Sequence, residues 1–172
     1  MRSLLLSLIL SHTIAFSSLA SSEEAVLIRA GTVIDVQNGK ALHDQVILVR
    51  GDRIVSVQSG SDASAPAGAR VIDLSGYTVL PGLIDSHTHV TADPDLPPYH
   101  DYGLSHPRIA LKGAAHARQT LLAGVTTIRD VGATGFTDVA LRDAINAGDV
   151  PGPRMLVSGP SHGSLVLNAD GA

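Results

Sequence analysis

Two histidines one residue apart, His87 and His89, close the apolar run Leu83-Ile84-Asp85-Ser86-His87-Thr88-His89-Val90. Along a β-strand successive side chains point to opposite faces, so the two imidazoles share a face, and Asp85 shares it with them. Two imidazoles fixed on one strand can hold one cation, at Zn–N distances of roughly 2.0–2.1 Å. By the same parity Asp85 is placed to orient one of the rings from behind. Taken alone, His-x-His also describes a strand that ends in two solvated side chains. The residues before the pair separate the two readings: Thr78-Val79-Leu80 arrives, Pro81-Gly82 turns the chain, and the second apolar run ends on the histidines.

Pro81-Gly82-Leu83-Ile84-Asp85, followed by Ser86-His87-Thr88-His89, resembles the amidohydrolase superfamily of metal-dependent hydrolases. The resemblance implies that this segment opens strand 1 of a (β/α)8 barrel and that His87 and His89 are metal ligands. Two further segments, Gly124–Gly132 (Gly-Val-Thr-Thr-Ile-Arg-Asp-Val-Gly) and Pro151-Gly152-Pro153-Arg154-Met155, narrow it to the imidazolonepropionase-like branch, which includes Xaa-Pro and Xaa-Lys/Arg dipeptidases. The activity that this resemblance implies is hydrolysis of a carbon–nitrogen bond in a small amide or dipeptide. One or two divalent ions, Zn2+ above all, would activate water and polarise the carbonyl, and a later strand would carry the general base. In that branch the loop after strand 3 tends towards Gly-Gly-His-Gly. Here it is Ser161-His162-Gly163-Ser164, which makes His162 a candidate substrate contact beside the plainer reading of a solvated loop histidine. Asp130, at the end of the second barrel strand, either binds substrate or supports a ligand, or is a capping or turn carboxylate.

The elements that must hold these residues are set by the punctuation. Val26–Val36, Gln45–Arg50, Arg53–Gln58, Arg70–Leu74 and Tyr77–Leu80 are rich in β-branched residues and read as strands. The first is bulged at Gly31, Asn38-Gly39 marks a hairpin, and Ser75-Gly76 reads as a turn. Residues 23–80 are therefore expected to form a small β-sandwich-like module with no chemistry of its own.

From residue 81 onward the pattern is strand, helix, strand, helix, strand. Leu83–Val90 is followed by a helix with Ser105 at its N-cap, Pro107 in its first turn and Gly124 at its end. Val125–Val131 is the second strand. Thr137 is expected to cap a second helix that runs to Ala147, with Leu141, Ala144 and Ile145 inward, and Arg154–Val157 is the third strand. His106 and His116 on the first helix, and His100 before it, read as solvent-facing. This order predicts an α/β fold: residues 81–172 as the first three βα units of a TIM-type barrel, which is incomplete because such a barrel has eight strands. A dinucleotide-binding sheet would need a Gly-x-Gly-x-x-Gly after one of the strands, and none is there.

Composition sets the outer limits. The chain has 172 residues, 44% hydrophobic and 16% charged, which suits a buried core rather than disorder. The net charge of −4 without a Lys/Arg cluster argues against nucleic acid as a partner. With no cysteine, neither disulfides nor thiolate metal sites exist. Arg2, the apolar run Leu4–Leu10 and Ser18-Leu19-Ala20 read as a signal peptide over residues 1–20, cleaved near Ala20–Ser21. That predicts a secreted or extracytoplasmic protein with no membrane anchor after cleavage; a homo-oligomer is compatible with everything above. The second functional reading is a catalytically incomplete fragment or a non-catalytic binding homologue, since two imidazoles alone fall short of the three protein ligands usual at a catalytic zinc.

Overall fold

A computed structural model describes residues 24–60, 64–96 and 103–160. The expected signal peptide, His100 and His162 lie outside the described residues. The chain divides into two units, Met1–Leu80 and Pro81–Ala172.

The first unit is one four-stranded sheet of order β3-β2-β1-β4. Its strands are β1 (Ala25–Asp35), β2 (Lys40–Arg50), β3 (Arg53–Ser59) and β4 (Arg70–Val79). β1 and β2 pair antiparallel from Ala25↔Arg50 to Asp35↔Lys40. The hairpin between them forms at Asn38-Gly39, where Gly39 has φ +63°. Asp35 secures the turn by accepting the N–H groups of Gln37 and Asn38, each at 3.1 Å. Those bonds, with the Asn38 side-chain amide first among them, hold the Asp35 carboxyl below the usual carboxylate range.

β4 runs parallel to β1, and it corrects one expectation: it is continuous through Ser75-Gly76 rather than turned there. The register jumps between Ala30↔Leu74 and Thr32↔Thr78, so the extra residues of β4 bulge instead of reversing the chain. Gly31 makes the bulge fit, because a Cβ at that position would stand 2.1 Å from the Ser75 carbonyl oxygen. The expected sandwich is represented among the described residues by this single sheet. Leu27, Ala30, Val46 and Ile47 form its buried part, while Ile54, Val55 and Val71 are exposed.

The second unit is built as expected from alternating elements: β5 (Leu83–Thr88), α1 (His106–Leu122), β6 (Val125–Asp130), α2 (Thr137–Ala147) and β7 (Arg154–Val157). The strands form a parallel sheet of order β5-β6-β7. Val90, Ala117, Ile128, Leu141 and Met155 make the core between the sheet and the helices. Gly113 lets α1 approach closely, since a Cβ there would lie 2.8 Å from the Thr91 methyl. Sequential βα units bury one sheet face in this way and leave Leu83, Ile84 and Leu156 exposed. No helix among the described residues is long and apolar enough to cross a membrane.

α1 begins after Ser105, as its sequence suggests, although the Ser105 hydroxyl makes no capping bond. The N-cap of α2 is Phe136, in the left-handed region at φ +59°, and not Thr137. Gly135 is left-handed too, so the chain enters the helix one residue earlier than hydroxyl capping would place it. Thr137 instead turns its hydroxyl back to the Thr134 carbonyl, at 2.9 Å.

Candidate functional site

The candidate site forms at the carboxyl ends of β5, β6 and β7. Thr88 pairs with Asp130, and Asp130 with Val157, along one row of the sheet. Asp130 is 1% exposed, so this row lies on the helix-covered face. His87, one residue before Thr88, lies in the stretch where the pairing with β6 shifts, and is exposed. β5 ends at Thr88, one residue short of His89, which stands at the carboxyl rim of the sheet.

The two imidazoles come together. Their ring centroids are 5.6 Å apart with the planes at 75°. Nδ1 of His89 lies 2.9 Å from the carbonyl oxygen of Gly132, just past β6. A carbonyl oxygen only accepts, so Nδ1 is the donor in this contact, and in a neutral imidazole Nε2 then keeps its lone pair. Asp85 behaves differently from its strand parity. The pairing with β6 shifts between Asp85 and Thr88, and the Asp85 carboxylate accepts the main-chain N–H of His87 at 3.1 Å. Its hydrogen bond thus shapes the bulge that carries His87.

Asp130 stands under the rim. One carboxylate oxygen accepts the N–H of Val90 at 2.6 Å and the other the N–H of Gly132 at 3.3 Å. It thereby ties the residue after His89 to the residue whose carbonyl holds the His89 ring. Burial pushes its carboxyl above the usual carboxylate range, against the pull of those two N–H groups; the nearby Asp138 charge pushes the same way and His89 opposes it. Asp130 thus closes the turn whose Gly132 carbonyl meets the His89 ring.

Two further groups were not legible as site residues. Asp138, in the first turn of α2, is fully buried. Its carboxylate accepts the N–H of Val139 at 2.8 Å and that of Gly159, past β7, at 2.9 Å. An acid in a predicted first helical turn is a common dipole partner, and nothing in the local pattern marks it as buried. His116, expected to face solvent, is half-buried with Nδ1 at 3.1 Å from the Val90 carbonyl, because α1 packs over the segment that leaves β5. Asp93 in that segment is paired with Lys112 of α1. Among the described residues, no group of three or more His, Cys, Asp or Glu side chains is arranged to hold a metal ion. The site therefore offers two imidazoles, one with a fixed tautomer, on a rim whose loops are pinned by buried carboxylates.

The chain is similar to known proteins in sequence and in fold. The family model described as the amidohydrolase family matches residues 78–166. A Xaa-Pro dipeptidase crystallised with methionine in its active site superposes with a TM-score of 0.70 at 32% identity, over 80% of this chain and 34% of that one. Phenylurea hydrolase B gives a TM-score of 0.70 at 27% identity, over 80% of this chain and 31% of its own. A dihydroorotase from Geobacter sulfurreducens is 41% identical over 71 residues, which are 41% of this chain and 16% of that enzyme. The chain thus spans about a third of the length of the solved structures it matches. The match covers the turn into β5, both histidines and all three strands of the second unit, and on it the chain belongs to the amidohydrolase family.

Proposed function

We propose that the protein is a zinc-dependent hydrolase of carbon–nitrogen bonds in small amides, with dipeptides as the preferred class, and that His87 and His89 are two of its metal ligands. The observation that carries this reading is the His87–His89 pair, with centroids 5.6 Å apart and Nδ1 of His89 on the Gly132 carbonyl. The pair fits a divalent ion as part of a ligand set: neutral imidazoles are common zinc ligands, and a ligating histidine usually donates its other ring N–H to a carbonyl or carboxylate. When bound, the ion supplies Lewis acidity at the substrate carbonyl and lowers the pKa of water.

The chain's own residues have defined parts in this reading. His87 and His89 bind. Gly132 orients the His89 ring, and Asp130 holds both Gly132 and Val90 in place. Asp85 supports His87 through its main chain. His162 is proposed as a substrate contact on sequence alone, as is secretion directed by residues 1–20. The dipeptide preference draws on the likeness to the Xaa-Pro dipeptidase, which covers 80% of this chain, whereas the dihydroorotase match covers 41%.

The test is hydrolysis of Xaa-Pro dipeptides and of a cyclic amide by the full chain, with and without a zinc chelator. Dipeptide turnover that the chelator abolishes, that zinc restores, and that His87→Ala removes is the expected result. Turnover indifferent to the chelator and to His87→Ala would overturn it.

A further inference from the structure

We propose that Asp138, on helix α2, is a positioning residue for His89 and acts through Gly159 and the peptide unit joining Gly132 to Ala133. The proposal rests on the reading of His89 as a metal ligand. It adds a residue from a different element, with no contact to the imidazole itself.

The Gly132–Ala133 peptide unit is a rigid plane whose C=O and N–H point in opposite directions. Its carbonyl faces Nδ1 of His89 at 2.9 Å. Its N–H donates to the carbonyl of Gly159 at 3.2 Å. The Gly159 N–H in turn donates to the Asp138 carboxylate at 2.9 Å. Three hydrogen bonds in series thus run from a carboxylate on α2, through the loop after β7, to the loop after β6 and the ring at the end of β5. Because the peptide is planar, its tilt is fixed from both sides, and the direction of the carbonyl that selects the His89 tautomer depends on where Gly159 sits.

Gly159 holds its place by an uncommon conformation, φ +73°, with Phe136 ring carbons 3.2–3.3 Å from where a Cβ would be. Asp138 is 0% exposed. A carboxylate that served only the helix N-terminus could do so at the surface. Full burial costs several kcal/mol unless the lone pairs are satisfied, so an oxygen that leaves its own helix to pin another strand's loop is an unusual feature. Asp130 holds the preceding peptide unit, Val131–Gly132, through the Gly132 N–H at 3.3 Å.

The test uses the full chain and reads two properties that a merely structural role would not move: the His89 tautomer, by 15N NMR of the metal-free protein, and the affinity for zinc alone, by chelator competition. In the wild type His89 should show a single tautomer with Nδ1 protonated. In Asp138→Ala the tautomers should mix and zinc should bind about 10–100-fold more weakly, the range for lost support of a ligand. Asp138→Asn, whose amide oxygen can still accept from Gly159, should recover most of both. A folded Asp138→Ala with the wild-type tautomer and affinity overturns the proposal.

Should that variant not fold, the wild type decides. By reciprocity, zinc binding should slow amide exchange at Ala133 and Gly159 relative to Gly148 and Asp149 at the far end of α2. Equal slowing at all four sites, or none, overturns the relay. His89→Ala separates the two ideas: if it leaves zinc affinity unchanged, the metal reading fails, and the tautomer in metal-free Asp138→Ala still judges the relay.

Discussion

Nδ1 of His89 and the carbonyl oxygen of Gly132 meet at 2.9 Å across 43 positions of sequence. The contact assigns one ring nitrogen to the protein and leaves the other for a ligand. His89→Asn separates those two jobs, because the shorter amide reaches Gly132 about as Nδ1 does and has nothing in place of Nε2. The side chain is exposed, so the variant should stay within about 0.5 kcal/mol of wild-type stability while zinc affinity drops at least about 10-fold. Denaturant titration and chelator competition on the same sample check both numbers.

Asp130 holds two main-chain donors in a buried position, so its removal should show as lost stability before anything else. Asp130→Ala leaves the Val90 and Gly132 N–H groups unpaired, at about 1–3 kcal/mol for each buried donor. Asp130→Asn keeps one acceptor and should lose roughly half as much. Urea unfolding of the two variants beside the wild type measures the order; equal losses would mean that the carboxylate's charge, not its two acceptors, matters.

The Asp93–Lys112 pair should give stability a pH dependence. Its hydrogen bond with Lys112, ahead of the N–H of Asp95 and the charges of Lys112 and His116, holds the Asp93 carboxyl below its ordinary value of 3.8. A carboxyl lowered in the folded state contributes stability above 3.8, and that contribution is lost as pH falls through the folded value. Lys112→Met should therefore melt below the wild type at pH 7, with the gap closing as the pH drops under 3.8. A gap that is constant from pH 7 downward would assign the pair no such part.

In the first unit, Gly31 faces the Ser75 carbonyl so closely that a Cβ would sit 2.1 Å away. The obstacle is backbone, which cannot rotate aside, so Gly31→Ala must open the β1–β4 bulge. A loss of about 1–3 kcal/mol is expected by analogy with overpacked cores. Gly39→Ala, with open space around the Cβ, should cost less, from its positive φ alone. Thermal melts of the two variants beside the wild type check the order.

The closeness of His87 and His89 was legible because only one residue separates them, which keeps the two rings within 5.6 Å even where the strand pairing shifts. The βα order was legible for a similar reason: Gly124 and Gly148 stop their helices and apolar runs start the next strands, all within short windows. Features that depend on distant partners were not. Asp85 has the parity of a ring-orienting group, and the shift in pairing with β6 commits its carboxylate to the His87 main chain. Ser75-Gly76 has the composition of a turn, and the parallel neighbour β1 draws it into a strand. Asp138 reads as an ordinary helix-start acid, and only the return of the chain past β7 buries it against Gly159. Each of these is a long-range pairing that local pattern does not carry.

The most direct test of the metal site is the zinc affinity of the full chain and of its His87→Ala and His89→Ala variants, measured by chelator competition with melting temperature as a control. If the two rings 5.6 Å apart share one ion, each variant should keep its fold and lose zinc affinity by a similar factor of at least about 10. Folded variants that bind zinc as tightly as the wild type would contradict it.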